Sequence, residues 1–266
     1  MERNFKITIE YDSSTYFGWQ RQKDPNTLQG VIERALHALT GQNVTLAGSG
    51  RTDSGVHALG QVANFRTDTH LMPDDIHRAL NALLPDDIVI LSCEEMPDNF
   101  HARFDVVSKC YRYCLLNRPL PSALGRQYAW HIRKPLDLAA IRASLTHLTG
   151  THNFKAFEGA GSPRADSIRK VNHCQLIARS DDRIDFEIEG NGFLRHMVRN
   201  IVGTLVDIGL GKITPDDLAG IRNGEDRSKA GITAPAHGLF MVRVNYSKPD
   251  DSETDKRFNP KLLFPR

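Results

Sequence analysis

Apolar and polar side chains alternate at the start of the chain. Phe5, Ile7, Ile9 and Tyr11 face one way and Lys6, Thr8 and Glu10 the other, as in a strand with one buried face. The period then lengthens. Leu28, Val31, Ile32, Ala35, Leu36 and Leu39 recur at helical spacing, with Thr27 placed to cap that helix and Gly41 to stop it. Residues 44–48 and 61–67 predict two strands. Ile76, Ala79, Leu80, Leu83 and Leu84 make a second helical stripe behind Pro73, and 88–93 is a continuously apolar strand. The first half therefore reads β-α-β-β-α-β.

The second half repeats the order without repeating the residues. Residues 108–117 are strand-like, and Leu138, Ile141, Leu145 and Leu148 form a helical stripe ending at Gly150. Residues 173–179 and 184–189 predict a hairpin across Asp181 and Asp182, its second strand alternating Ile184, Phe186 and Ile188 against Asp185, Glu187 and Glu189. A long helix over 194–209, a short helix behind Thr214-Pro215 and a strand over 239–246 complete the pattern. Two β-α-β-β-α-β units predict an α/β (α+β) chain of two ferredoxin-like modules sharing an extended, mostly antiparallel sheet. The expected boundaries are 1–105, carrying the Gly-rich loop described below, then 106–248, then a tail over 249–266. Two long segments interrupt the plan. The stretch 117–135 is rich in Pro and Arg. The stretch 151–170 sets Phe154 and Phe157 among Arg164, Arg169 and Lys170, which suits either stacking on unpaired bases or two rings plugging the core.

Composition adds little against this plan and excludes much. The 266 residues are 40% hydrophobic and 25% charged, ordinary for a globular chain and wrong for a disordered, collagenous or coiled-coil one. No run of 18 apolar residues is present and no apolar leader follows Met1, so no membrane segment and a cytoplasmic location are expected. Four cysteines, Cys93, Cys110, Cys114 and Cys174, are too few for a disulfide framework, and only Cys110 and Cys114 are closely spaced; ordinary thiols are expected, with no metal. The net charge of +2 hides a segregation: residues 68–99 carry eight acids and one base, residues 101–142 eight bases and two acids. Such asymmetry points to a polyanionic partner unless the two segments neutralise each other in the fold.

The chemistry concentrates between two strands, in Gly48-Ser49-Gly50-Arg51-Thr52-Asp53-Ser54-Gly55-Val56-His57-Ala58. Three glycines allow tight turning and close approach of a ligand to the backbone. Arg51, Asp53 and His57 bring three ionisable side chains, more than a plain turn requires. Asp53 suits a nucleophile, a general base, a metal ligand, or simply a turn residue. Further along, a helix at 100° per residue gathers Leu194, Met197, Val198, Ile201, Val202, Leu205 and Ile208 on one arc and Arg195, His196, Arg199 and Gly203 on the other, a basic face open to RNA or another element.

Several stretches in one order carry a resemblance. The run 50–58, the pair Tyr11-Asp12 followed by Gly18-Trp19-Gln20-Arg21-Gln22, the segments Phe100-His101-Ala102-Arg103-Phe104 and Tyr111-Arg112-Tyr113, and the helix His196-Met197-Val198-Arg199-Asn200-Ile201-Val202-Gly203 resemble the tRNA pseudouridine synthase A (TruA) family from about residue 5 to about 246. Ser13 departs from the Gly usual after Tyr-Asp. The resemblance implies a pseudouridine synthase fold and isomerisation of uridine to pseudouridine in the anticodon stem-loop of tRNA, at positions 38, 39 and 40. It implies no cofactor and a homodimer that holds tRNA. By the same match Asp53 is the essential carboxylate, attacking uracil, attacking ribose or removing a ribose proton. Arg199 is its ion-pair partner, Tyr111 the residue stacking on the target uracil, and Leu239 an apolar neighbour of that base. Arg51, His57, Arg103, Arg164 and Arg195 are expected to contact RNA. Two other classes fit parts of the sequence. A non-catalytic protein of paired RNA-recognition modules would need exposed aromatics in a Gly-Phe-rich strand, and a glycoside or nucleotide hydrolase would need a second carboxylate near Asp53. No such strand is present, and no acid lies near Asp53 in sequence, which leaves a carboxylate from a distant segment as the hydrolase alternative.

Overall fold

The structure, a computed structural model, describes residues 2–23, 26–159, 161, 166–179 and 181–246. They group into two compact units, one built from residues within 1–107 and 240–254 and the other from residues within 108–239. The last strand thus belongs almost entirely with the first unit, although chain order alone assigned it to the second module.

In the first unit, β1 (Arg3–Tyr11) is flanked by two antiparallel neighbours, β3 (His57–Thr67) and β4 (Ile88–Met96). The short β2 (Ala47–Gly48) pairs antiparallel with β3, and β10 (Leu239–Asn245) pairs parallel with its start, Phe240 opposite His57. The alternation read in the sequence is realised: Phe5, Ile7, Ile9 and Tyr11 are all buried, and Phe5 stacks on Phe65 with ring centroids 5.6 Å apart. Fully burying one such aliphatic or aromatic side chain stabilises by about 1.5–3 kcal/mol. Helices α1 (Leu28–Thr40) and α2 (Pro73–Leu83) occupy the spans read from their stripes.

The start of α1 differs from expectation. Thr27 sits at the N-cap position, but its side chain caps nothing. Instead the Leu28 and Gln29 amides donate to the Gly18 and Trp19 carbonyls at 3.1 and 3.0 Å. Amides that a helix N-terminus leaves unsatisfied are thus taken by the segment 18–19. The Gln29 side chain adds to the join by accepting from the Arg21 amide and from Gln20 Nε2, and Arg21 pairs with buried Glu33 at 3.2 Å. The strand expected over 44–48 shrinks to two residues, and β3 begins at His57, so part of the Gly-rich run is strand rather than loop.

In the second unit, β5 (Ser108–Asn117) pairs parallel with β6 (Trp130–Ile132) and antiparallel with β9 (Arg183–Gly190); β8 (Ile168–Ala178) joins β9 to β7 (Gly150–Asn153), both antiparallel. Both interrupting segments therefore contribute a strand. The acidic side of β9 is buried as well as the apolar side, because each acid meets a partner. Arg179 pairs with Asp185 at 2.8 Å, Arg112 with Glu187 at 2.7 Å, and Ser108 donates to Glu189 at 2.7 Å. Arg112 is thereby removed from the basic residues expected to face RNA. Helix α3 (Leu138–Ser144) continues as a 3₁₀ turn, and α4 (Met197–Gly209) starts three residues later than expected, His196 taking a left-handed conformation at its N-cap. The short helix behind Thr214-Pro215 is α5 (Asp217–Asn223). No helix among the described residues is long and apolar enough to cross a membrane. The expected tail lies outside the described residues.

Two readings that the sequence leaves open are decided here. Phe154 and Phe157 are each 0% exposed, with centroids 6.2 Å apart, so they plug the core and offer no stacking face. The arc of Arg195, His196, Arg199 and Gly203 is split: Arg195 is exposed and His196 and Arg199 are half-buried, whereas Gly203 is covered. Asn200, Gly203 and Thr204 are buried, and a Cβ on Gly203 would fall 1.7 Å from the Ile232 carbonyl oxygen. Another segment of the chain, not a ligand, uses the close approach that Gly203 permits.

Candidate active site

The loop carrying Asp53 is fixed at both ends and at its middle by the first unit. At its entry the Ser49 amide donates to the Val62 carbonyl at 2.7 Å, Ser49 Oγ donates to Gln61 Oε1 at 2.6 Å, and Gln61 Nε2 donates to the Gly50 carbonyl at 3.0 Å. In the middle the Trp19 amide donates to the Thr52 carbonyl at 3.1 Å, and the Tyr11 hydroxyl bonds Thr52 Oγ1 at 2.8 Å. Gly18 allows that approach. Its φ is +87°, and a Cβ there would lie 2.8 Å from the Thr52 carbonyl oxygen. Beyond Asp53, Ser54 Oγ donates to the Tyr16 carbonyl at 2.9 Å, and the Val56 amide donates back to the Asp53 carbonyl at 3.1 Å, closing the turn.

The segment 11–20 is therefore the bracket of this loop. Tyr16 ties this segment to the turn ahead of β4 by donating to Asp87 at 2.6 Å. Burial pushes the Tyr11 and Tyr16 hydroxyls well above the usual phenol range, so both stay protonated and able to donate. Sequence reading singled out Tyr11-Asp12 and Gly18-Trp19 only as pattern. Their physical role was not legible there, and Gln61 was missed, because the contacts that hold the loop join residues 11 to 41 apart in sequence.

Asp53 is partly exposed on this frame and Arg51 is exposed. His57 turns inward: it is 1% exposed, stacks on Phe240 with centroids 4.9 Å apart, and its Nδ1 accepts the Ser13 amide at 3.1 Å. Asp12, whose carboxylate lies 3.1 Å from the same nitrogen, also accepts from the Ser14 amide and hydroxyl. His57 in this position holds the loop exit rather than reaching for RNA. Arg103 is exposed beside the ring of Phe104.

The second unit carries the other candidates. Tyr111 is largely buried on β5 opposite Ile188, and its ring meets Phe193 edge-on at 5.2 Å and 86°. Phe193, which sequence reading passed over, follows Gly190 and Gly192 and has no periodic signal of its own. Arg199 is half-buried, and its Nε donates to the Ala234 carbonyl at 2.7 Å. The neighbouring Pro235 carbonyl accepts from the Tyr113 hydroxyl at 2.7 Å, and the Arg199 charge acts on that hydroxyl, although burial dominates and raises it.

The segment bearing both carbonyls is clamped. Arg227 Nη2 and the Thr233 hydroxyl both donate to Asn200 Oδ1, at 3.0 and 2.6 Å, while Asn200 Nδ2 donates to the Phe157 carbonyl at 2.7 Å. Leu239 is buried at the start of β10 and Arg195 is exposed ahead of α4. Arg164 lies outside the described residues. Cys110 and Cys114 are buried thiols on one face of β5, and burial holds Cys114 far above the usual thiol range.

The comparisons with known proteins bear on the whole chain. The tRNA pseudouridine synthase family model matches residues 7–105 and 145–247. A tRNA pseudouridine synthase A of Thermoanaerobacter sp. (strain X514) is 46% identical over 244 residues, covering 92% of this chain and 100% of that protein. Those of Acetivibrio thermocellus and Geotalea daltonii are 47% and 43% identical over the same shares. A match across both units, with the relatives spanned end to end, assigns the chain to the tRNA pseudouridine synthase family.

Proposed function

We propose that this protein isomerises uridine to pseudouridine in the anticodon stem-loop of tRNA, at positions 38, 39 and 40, with Asp53 as the reacting carboxylate. That it is an isomerase acting on tRNA follows from its family and from relatives named for that activity. The reaction breaks the bond between uracil N1 and ribose C1′ and forms one from C5 to C1′. The proton on C5 leaves to solvent and N1 gains one, so nothing else is consumed.

The observation that carries the assignment of Asp53 is the frame around it. A carboxylate in a Gly-rich turn held by a 2.8 Å buried hydroxyl pair and two further backbone bonds is pre-aimed, and reactive groups need such positioning within about half an ångström. Tyr111 offers a ring and a hydroxyl, and in this reading it stacks on the extruded uracil. Arg199, held on the Ala234 carbonyl, supplies positive charge that keeps a carboxylate ionised, and Leu239 gives apolar contact to the base. Arg51, Arg103, Arg164 and Arg195 are assigned to phosphates. The protein acts in the cytoplasm as a homodimer on one tRNA, since an L-shaped tRNA is longer than one chain of this size; light scattering checks the mass.

Release of tritium from tRNA labelled at uracil C5 tests the activity. The unaltered protein is expected to release it, and Asp53→Asn to lose release while keeping tRNA affinity. Release by Asp53→Asn above a few per cent would remove Asp53 from the chemistry. Binding without release would make the protein a pure RNA binder, and free uracil would make it a hydrolase.

A further inference from the structure

Among the described residues Phe104 is the exposed apolar side chain that least resembles an accident of folding. It is 73% exposed, yet it sits on a turn built for rigidity. Asn4 Nδ2 donates to the Pro97 and Phe100 carbonyls at 3.0 and 2.9 Å, and Asn64 Oδ1 accepts the Ala102 amide at 2.9 Å. Asn64 in turn donates to Asn4 Oδ1 at 2.9 Å, and Asn4, Asn64 and Ala102 are buried. Tyr246 donates to the Ala102 carbonyl at 2.6 Å and meets Phe100 edge-on. The tip is fixed from within: the His101 amide donates to the Asp105 carboxylate at 2.8 Å, and the Phe104 and Asp105 amides donate to the His101 carbonyl.

A turn anchored this way fixes what it displays. It displays an aromatic ring beside two groups that suit RNA, one aromatic and one cationic. The His101 ring lies 4.3 Å from the Phe104 ring, and the Arg103 guanidinium 5.6 Å from its centroid. Arg66 reaches the same turn by donating to the Asp98 carbonyl. Asp98 and Asp105 are acids of the same turn, but the charged group set against the ring is the Arg103 guanidinium.

We infer that Phe104 is a stacking platform for an unpaired nucleobase of the RNA substrate, with Arg103 beside it on the adjoining phosphate. This rests on the RNA-modifying reading above. A ring held in place loses little entropy on binding and accepts any base face, while the guanidinium adds attraction to backbone charge.

The test measures dissociation constants for full-length tRNA across a salt series for Phe104→Ala, Phe104→Trp, Phe104→Leu and Arg103→Ala, with light scattering of each. Loss of one stacked base corresponds to about 5- to 150-fold weaker binding. Phe104→Ala is expected to fall in that range with an unchanged slope of log K against log salt, since no charge is removed. Arg103→Ala is expected to lower that slope by about 0.7–0.9. Phe104→Trp should bind within twofold of the unaltered protein, and Phe104→Leu close to Phe104→Ala. Affinity of Phe104→Ala within twofold of the unaltered protein overturns the inference. So does Phe104→Leu binding as tightly as Phe104→Trp, which would mean plain apolar contact, or a change in oligomeric mass, which would mean a subunit interface. If the unaltered protein releases no tritium while Phe104→Ala still loses affinity, the isomerase reading falls and the platform stands.

Discussion

Tyr11→Phe removes one oxygen and isolates the contribution of the frame to the chemistry. In the protein that hydroxyl lies 2.8 Å from Thr52 Oγ1, with both residues buried. A neutral hydrogen bond contributes about 1 kcal/mol net, and a buried group left without its partner costs about 1–3 kcal/mol. Thr52 loses its partner here, so destabilisation of about 1–3 kcal/mol is expected. For a chain of this size each kcal/mol lowers Tm by about 2–4 °C, giving a fall of about 2–12 °C by calorimetry. The kinetic effect is separate. Thr52 is the residue before Asp53, and release of its side chain lets the carboxylate spread over orientations that do not react. Misalignment worth about 1.4 kcal/mol in the transition state is a tenfold loss. The single-turnover rate at saturating tRNA should fall about tenfold while the tRNA dissociation constant stays within twofold. Thr52→Val removes the other half of the pair, so the double variant should show non-additivity of about 1 kcal/mol. A lowered Tm with an unchanged single-turnover rate would refute the claim that this pair aims Asp53.

Gly203→Ala forces a Cβ to within 1.7 Å of the Ile232 carbonyl oxygen, a backbone atom that cannot rotate aside. Overpacking of this kind costs about 1–3 kcal/mol or more, so Tm should drop by about 2–12 °C or more, and a Tm within 1 °C of the original would contradict the packing described. Burial pushes the Cys93 thiol up to about 12 and holds Cys114 well above the usual thiol range, so both remain protonated at pH 8. Mass spectrometry after iodoacetamide treatment at pH 8 should find Cys93, Cys110 and Cys114 unmodified in the native protein, with half-buried Cys174 labelled first and all four labelled in urea. Rapid native labelling of Cys110 or Cys114 would mean that β5 opens readily.

Periodicity made β1, α1 and α2 legible because each buries one face against one neighbour, so the apolar stripe is the whole signal. It failed where both faces are covered. In β9 the acids Asp185, Glu187 and Glu189 alternate like solvent-facing residues, yet each is buried against a partner from another strand or turn. On α4 the arc of Arg195, His196, Arg199 and Gly203 reads as open to RNA or to another element, and its far end is covered by the chain itself. The structure shows Thr204 Oγ1 donating to the Asn200 carbonyl and accepting the Gly231 amide, both at 2.8 Å. Phe154 and Phe157 failed for a different reason: aromatics among bases have the same composition whether the rings face RNA or the core. The loop at Asp53 was legible as chemistry because its ionisable residues exceed what a turn needs. How it is held was not, since that depends on contacts distant in sequence.

Those distant contacts explain why a reactive loop here is rich in glycine and yet ordered. Glycines give the turn and the close approach to Thr52, but they raise the entropy lost on ordering. A loop held only by its ends would sample many orientations of Asp53. The bonds that counter this reach it from three directions: Tyr11 on β1, Gly18 and Trp19 ahead of α1, and Gln61 on β3. The amides at the head of α1 hold Gly18 and Trp19 in turn, so a helix with no reacting residue stiffens the turn that carries Asp53. His57 illustrates the same division. It lies in the most chemically suggestive run of the sequence, and the fold turns it inward to hold the exit of the loop, leaving Arg51 and Asp53 accessible at the surface.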